Sequence, residues 1–183
     1  ERFSYDLYST ENSVDVNGFV SLGFDLYDNH EIKGTALIVR STDKEARTVQ
    51  GIDFDDNFER NDSIEWFERQ LWTTQLTGSH YLPNLMDLNI DWRASYSEAL
   101  RDAPYQFNIL YQDSGSGLQT LSNAADTTFG FSRIDDDSTD LGIDAELPLT
   151  FGGSDCTFFC ETDLRAGYAY TENDRSATSR LFA

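Results

Sequence analysis

No apolar run in this sequence approaches the length of a membrane-spanning helix; the longest uninterrupted aliphatic stretch is "ALIV" at 36–39. A helical span needs about 20 such residues, so that way of crossing a bilayer is excluded. Strands are not, because a β-strand crosses with about 9–11 residues that alternate. Positive charge is also scarce: 13 basic residues stand against 33 acidic ones, a formal net charge of -20. Such a chain has no basic stripe for phosphates, which excludes nucleic acid as a partner. Only two cysteines occur. Cys156 and Cys160 lie four apart with no second pair and no nearby histidine, a poor set for zinc. A disulfide between them is the expectation if the chain is exported. No GxSxG, HExxH or P-loop pattern appears, and the two histidines, His30 and His80, both sit beside short turns. No enzyme activity is expected.

What the sequence does have is aromatic residues, 14% of the chain, too many for a disordered acidic tail. Its length suits a single domain. Hydrophobicity alternates with period two in segment after segment, which reads as strands. In "TDLGIDAELPLTF" (139–151), Leu141, Ile143, Ala145, Leu147, Leu149 and Phe151 share one face, while Asp144 and Glu146 lie on the other. In "MDLNIDWRASYSEA", Leu88, Ile90, Trp92, Ala94 and Tyr96 alternate with Asp87, Asn89, Asp91, Arg93 and Ser95. "FVSLGFDLY", "EIKGTALIVRST", "IEWFERQLWTTQLTGSHY" and "ETDLRAGYAYTE" read the same way. "DNH", "LPN" and the cysteine segment are read as short turns. Residues 43–63 and 99–136 are read as long loops, with a hairpin around Gly115 and Gly117 inside the second.

Alternation alone does not separate lipid from a protein core. Three features favour lipid: strands often longer than the usual five or six residues, short connections alternating with long ones, and aromatics gathered at strand ends. Tyr27, Tyr81, Phe151, Phe158 and Phe159 are expected by the short turns, and Trp92, Tyr96, Tyr168 and Tyr170 toward the opposite end. The second face then lines a wet interior. There Glu146 is expected opposite Arg165 if residues 139–151 and 161–171 form a hairpin.

"ALIVRSTDKEARTVQG", "ERQLWTTQLTGSHYL" and above all "DLNIDWRASYSEALRDAPYQ" resemble the β-barrel part of TonB-dependent outer-membrane receptors of Gram-negative bacteria. "DDDSTDLGIDAELPLTF" and the strand at 161–171 continue in that style, so the resemblance covers about two thirds of the chain. It implies an all-β fold: antiparallel transmembrane strands, roughly six to ten of them, as one segment (1–183) of a barrel of about 22 strands. It implies import of a scarce ligand of the siderophore, cobalamin or oligosaccharide class across the bacterial outer membrane. The implied partners are membrane lipid, a plug domain elsewhere in the same polypeptide, and the energising TonB complex. Neither plug nor TonB box is legible here.

Two other readings stand beside this one: a complete small outer-membrane barrel serving as pore or adhesin, and a soluble secreted β-sandwich binding calcium or glycan. On the family reading the loops contact cargo, which makes Arg47, Arg60, Trp66, Arg101 and Tyr105 candidates for ligand binding by bidentate bonds or stacking. No cofactor is expected beyond calcium. Its candidates are hard oxygen donors in "DFDDNFERND" (Asp53, Asp55, Asn57) and "RIDDDSTD" (Asp135, Asp137). Neither stretch is an EF-hand, and a solvated acidic loop is the ordinary alternative.

Overall fold

In a computed structural model of the chain, the described residues are 4–52, 56–113, 115, 117, 120–121, 127–150 and 161–182. They form one antiparallel sheet. Six long strands follow one another: β1 (Tyr5–Leu26), β2 (His30–Ile52), β3 (Phe58–Leu82), β4 (Leu88–Asp113), β6 (Thr128–Thr150) and β7 (Glu161–Phe182). A two-residue strand, β5 (Thr120–Leu121), pairs only with the end of β4. The order β1-β2-β3-β4-β6-β7 is a plain meander, with one edge of β1 and one edge of β7 left unpaired. Each long strand reaches 22 to 26 residues, about 70–85 Å of chain.

The faces follow from the register, because residues directly opposite in an antiparallel pair point the same way. Val20, Ala36, Thr74, Tyr96 and Thr139 are linked partner to partner, as are Phe24, Ile32, Gly78, Trp92, Ile143 and Tyr168. Every apolar alternation read from the sequence therefore falls on a single face. That face carries an apolar band next to the short turns; on β6 the band runs from Leu141 to Leu149, about 26 Å of strand. Nothing among the described residues packs over it. Ile143 is 48% exposed, Leu22 61% and Phe24 61%, and among the described residues the only buried hydrophobic side chain is Ala103. A β-sandwich would need a second sheet here.

Among the described residues, two turns lie at the band end of the sheet. Tyr27–Asn29 joins β1 to β2, with Tyr27 at φ 48°, and Pro83–Leu85 followed by Met86 and Asp87, both at φ 60°, joins β3 to β4. At the other end, Gly115 and Gly117 take positive φ, and their N–H groups donate to the Asp113 carboxylate at 3.0 and 3.1 Å. This is the hairpin expected around the two glycines, completed by β5.

The long loops need correcting. Residues 43–52 and 58–63 are strand, and so are 99–113 and 128–136. Between the long strands this leaves only 53–57 and 114–127, and β5 lies within the second. The polar character of the first segment has a different cause: the far half of β2, from Asp43 to Gly51, carries polar residues on both faces. A second reason lies in β4. Opposite Trp66 and Glu68 the register slips, so that Asp102 faces Glu68 while Tyr105 faces Trp66; the slip recurs against β6 between Ala103 and Gln106. One extra residue is accommodated in β4 at Ala103–Pro104, where proline, lacking an N–H, is tolerated. Beyond this bulge the faces exchange parity, and Tyr105, Phe107, Ile109 and Tyr111 join the face that Ile90, Trp92 and Tyr96 occupied before it.

Candidate functional site in the distal half of the sheet

The apolar face changes character along the strands. Above the band, Trp72 and Tyr96 meet edge-on with ring centroids 5.9 Å apart. Next comes a charged belt. Arg40 pairs with Glu68 at 2.9 Å and Arg133 with Asp135 at 2.8 Å, while Glu98, Asp137 and Asp174 stand directly opposite one another across β4, β6 and β7. No basic side chain among the described residues forms an ion pair with those three, although Tyr96 donates its hydroxyl to Asp137 at 3.2 Å. Carboxylates in direct cross-strand opposition repel.

Beyond the belt lies an aromatic row. Ile64, Phe107, Phe129 and Phe182 are linked partner to partner across four strands, and Trp66 opposes Tyr105 one step nearer the belt. Tyr105 stacks with Phe107 at 6.1 Å and meets Phe129 edge-on at 5.4 Å, and Phe129 stacks with Phe182 at 6.2 Å. The Lys44 ammonium sits 3.8 Å from the Trp66 ring centroid. Such contacts are each worth about 0.5–1.5 kcal/mol beyond area burial.

The five sequence candidates for ligand contact therefore divide. Trp66 and Tyr105 form a cross-strand pair in the row. Arg60 shares their face farther out, held by Asp62 at 2.9 Å. Arg47 and Arg101 lie on the opposite face; Arg47 opposes Ser63, and Arg101 lies over the Phe67 ring at 5.5 Å. Burial opposes ionisation of Asp62, but hydrogen bonds from Arg60 and Thr48 together with the Arg60 charge outweigh it, and its pKa falls below the usual carboxylate range. Asp135 is also lowered, first by the hydrogen bond from Arg133.

Of the calcium candidates, Asp135 and Asp137 lie in β6 rather than in a loop, and Asp136 between them points to the other face and pairs with Arg175. Asp53 and Asp55 lie outside the described residues, as do Cys156 and Cys160 and the disulfide expected between them. Asn57 precedes β3. Among the described residues no group of three histidine, cysteine or acidic side chains is placed to hold a metal.

The polar face at the turn end carries ion pairs from strand to strand: Arg93 to Asp144 at 3.2 Å and Arg165 to Glu146 at 2.9 Å. The second is the pair read from the sequence, in the expected register. Arg93 sits close against Gly142, where a Cβ would meet the guanidinium.

The sequence reading missed a side-chain relay on the apolar face. Trp92 Nε1 donates to His80 Nε2 at 2.9 Å, and His80 Nδ1 lies 3.1 Å from His30 Nδ1. With Nε2 accepting, neutral His80 carries its proton on Nδ1 and donates to His30. The relay ties β2, β3 and β4 together near their turns. Trp92 lies over Gly78, where a Cβ would collide with the indole. Trp92 thus belongs with the turn-end residues, not with the opposite group as the sequence suggested. The signal was present: His30 directly follows the Tyr27–Asn29 turn, His80 stands three residues before Pro83, and Gly78 interrupts an otherwise bulky face.

No family model matches this chain, and no curated protein matches it either. The function must therefore be argued from the geometry and from the resemblance of the strand pattern.

Proposed function

We propose that the chain is a stretch of the barrel wall of a TonB-dependent outer-membrane receptor, which imports a siderophore, cobalamin or oligosaccharide-class ligand. The observation that carries the reading is the apolar band, about nine residues tall on β6, lying open on one face of a single sheet. In water such a surface is far larger than a soluble monomer exposes. Against hydrocarbon it is satisfied, and the polar face with its ion pairs then lines a wet interior. Six long strands are too few to close, since such barrels begin at about eight strands, so β1 and β7 require further strands of the same polypeptide at their free edges. On this reading the distal halves project beyond the bilayer, and Arg47 and Arg101, on the interior face, are the better candidates for cargo contact.

The test is the intact mass of the native protein, recovered from the membrane fraction with detergent. The reading expects a mass several times 20.8 kDa. It also expects cells lacking the gene to lose uptake of one ligand of these classes. A native mass near 20.8 kDa in the soluble fraction would overturn it.

A further inference from the structure

The relay of Trp92, His80 and His30 has a definite proton count. Trp92 Nε1 can only donate, so His80 Nε2, 2.9 Å away, accepts and bears no proton. Neutral His80 therefore carries its hydrogen on Nδ1. His30 accepts it on its own Nδ1 at 3.1 Å and keeps its hydrogen on Nε2. All three rings are half-buried, and the His80 and Trp92 ring planes lie 24° apart. In the two cross-strand rows that hold the relay, its neighbours are apolar: Leu26, Phe24, Ile32, Ile90 and Ile143. The one other ionisable group among the described residues of those rows is the Tyr168 phenol on β7. Tyr27 and Asp28 stand in the β1–β2 turn, and Asp87, bonded to Tyr81, in the β3–β4 turn. The charged groups of the strands at this level, Asp25, Glu31, Lys33, Asp91, Arg93 and Asp144, lie on the opposite face.

We infer that these three side chains form a pH-sensitive clasp, in which a histidine pair holds Trp92 while neutral and releases it on taking one proton. A proton from solvent turns the pair into a single imidazolium–imidazole unit. The hydrogen bond between the two Nδ1 atoms is kept, and it becomes charge-assisted and stronger. Both Nε2 atoms then carry hydrogen, whichever ring holds the charge. His80 Nε2 meets the Trp92 N–H as a second donor, and that bond is lost. The alternative, a proton on His30 Nδ1 against an unchanged His80, sets donor against donor within the pair and forgoes the stronger bond. No carboxylate in these rows offers the indole another acceptor. Trp92, which lies over Gly78, is then held by packing alone, and β4 loses its side-chain tie to the β2–β3 hairpin beside the turns. Histidine is the side chain that changes charge between about pH 8 and 5, so the clasp opens in that range. The inference rests on these three side chains and not on the receptor reading.

The native protein, solubilised with detergent, is labelled with the heavy nitrogen isotope in its tryptophan and histidine rings and followed by nuclear magnetic resonance from about pH 7.5 to about pH 5. The Trp92 indole signal is identified by its absence in Trp92→Phe. The expected result is a hydrogen-bonded indole signal at the upper end, replaced by a free-indole signal at the lower end and restored on return, while Trp66 and Trp72 stay in place. In His80→Gln the amide oxygen accepts from Trp92 throughout this range, so the bonded signal is expected at both ends. A Trp92 signal that stays bonded at the lower end in the parent would overturn the inference. So would an equal loss in His80→Gln, or a loss that Trp66 and Trp72 share. Far-ultraviolet circular dichroism shows whether His80→Gln keeps its sheet. If it does not, the parent's histidine signals decide. The histidine that carries its hydrogen on Nδ1 at the upper end is expected to gain a proton on Nε2 over the same interval in which the bonded indole signal is lost, and a separate interval would overturn the inference.

Discussion

At the scale of single residues, the side chains that matter are held by cross-strand partners rather than by a core. Arg165 and Glu146 illustrate how far a sequence reaches at this scale. Their opposition follows from hairpin register, and register is set by the need to keep Leu141, Ile143 and Leu147 on one face. The relay of Trp92, His80 and His30 was not legible in the same way, because it joins three strands and depends on how the Trp92 indole lies over Gly78. Asp62 yields a prediction here. Its folded pKa is depressed, so its contribution to stability is present above the unfolded value near 3.9 and is lost as pH falls through the folded value. Asp62→Asn should therefore melt below the parent at pH 7, with the difference closing below about pH 4. Thermal unfolding of both proteins across pH 3–7 checks this; a difference independent of pH would mean that the Arg60–Asp62 charge pair is not its source.

At the scale of the element, the decisive feature is one inserted residue. Before Ala103 the large apolar residues of β4 (Leu88, Ile90, Trp92, Tyr96, Leu100) are even-numbered, and after Pro104 Tyr105, Phe107, Ile109 and Tyr111 are odd-numbered. A period-two pattern that changes phase reads as an interruption, which is why residues 99–136 look like a loop in sequence although β4 continues to Asp113. Pro104 was the available clue, since a proline inside a strand marks an edge or a bulge. Residues 43–63 misled for a different reason. A strand that is polar on both faces has no alternation to detect, and only its pairing with neighbouring strands identifies it. Deleting Pro104 should remove the bulge, restore a single phase and leave Phe107 opposite Ile64. With Cys156 and Cys160 replaced by serine, an Ile64→Cys, Phe107→Cys pair is expected to form a disulfide in the parent and in the deletion alike. Loss of the disulfide in the deletion would mean that β4 keeps a bulge and changes register instead.

At the scale of the whole molecule, the sheet is open. Among the described residues it has an uncovered apolar face, two free edges of 22 residues each and a single buried hydrophobic side chain. Exposed edges and large apolar patches both drive association. The isolated 183-residue chain should consequently form large aggregates in detergent-free buffer and become monodisperse when detergent covers the band, as read by light scattering after size exclusion. A monodisperse monomer without detergent would require a second layer over Ile143 and Leu22, and the lipid reading would fall.

The sequence by itself determined the all-β class, the antiparallel hairpins at the band end and which residues share the apolar face there. These are local consequences of side chains alternating across a pleated strand. Tertiary structure alone decided the length of the strands, the exchange of faces in β4 and the meeting of Trp66, Tyr105, Phe107 and Phe129. Those depend on pairing between strands far apart in the chain, where a neighbour's hydrogen bonds hold a polar segment extended and a one-residue bulge sets which way every later side chain points.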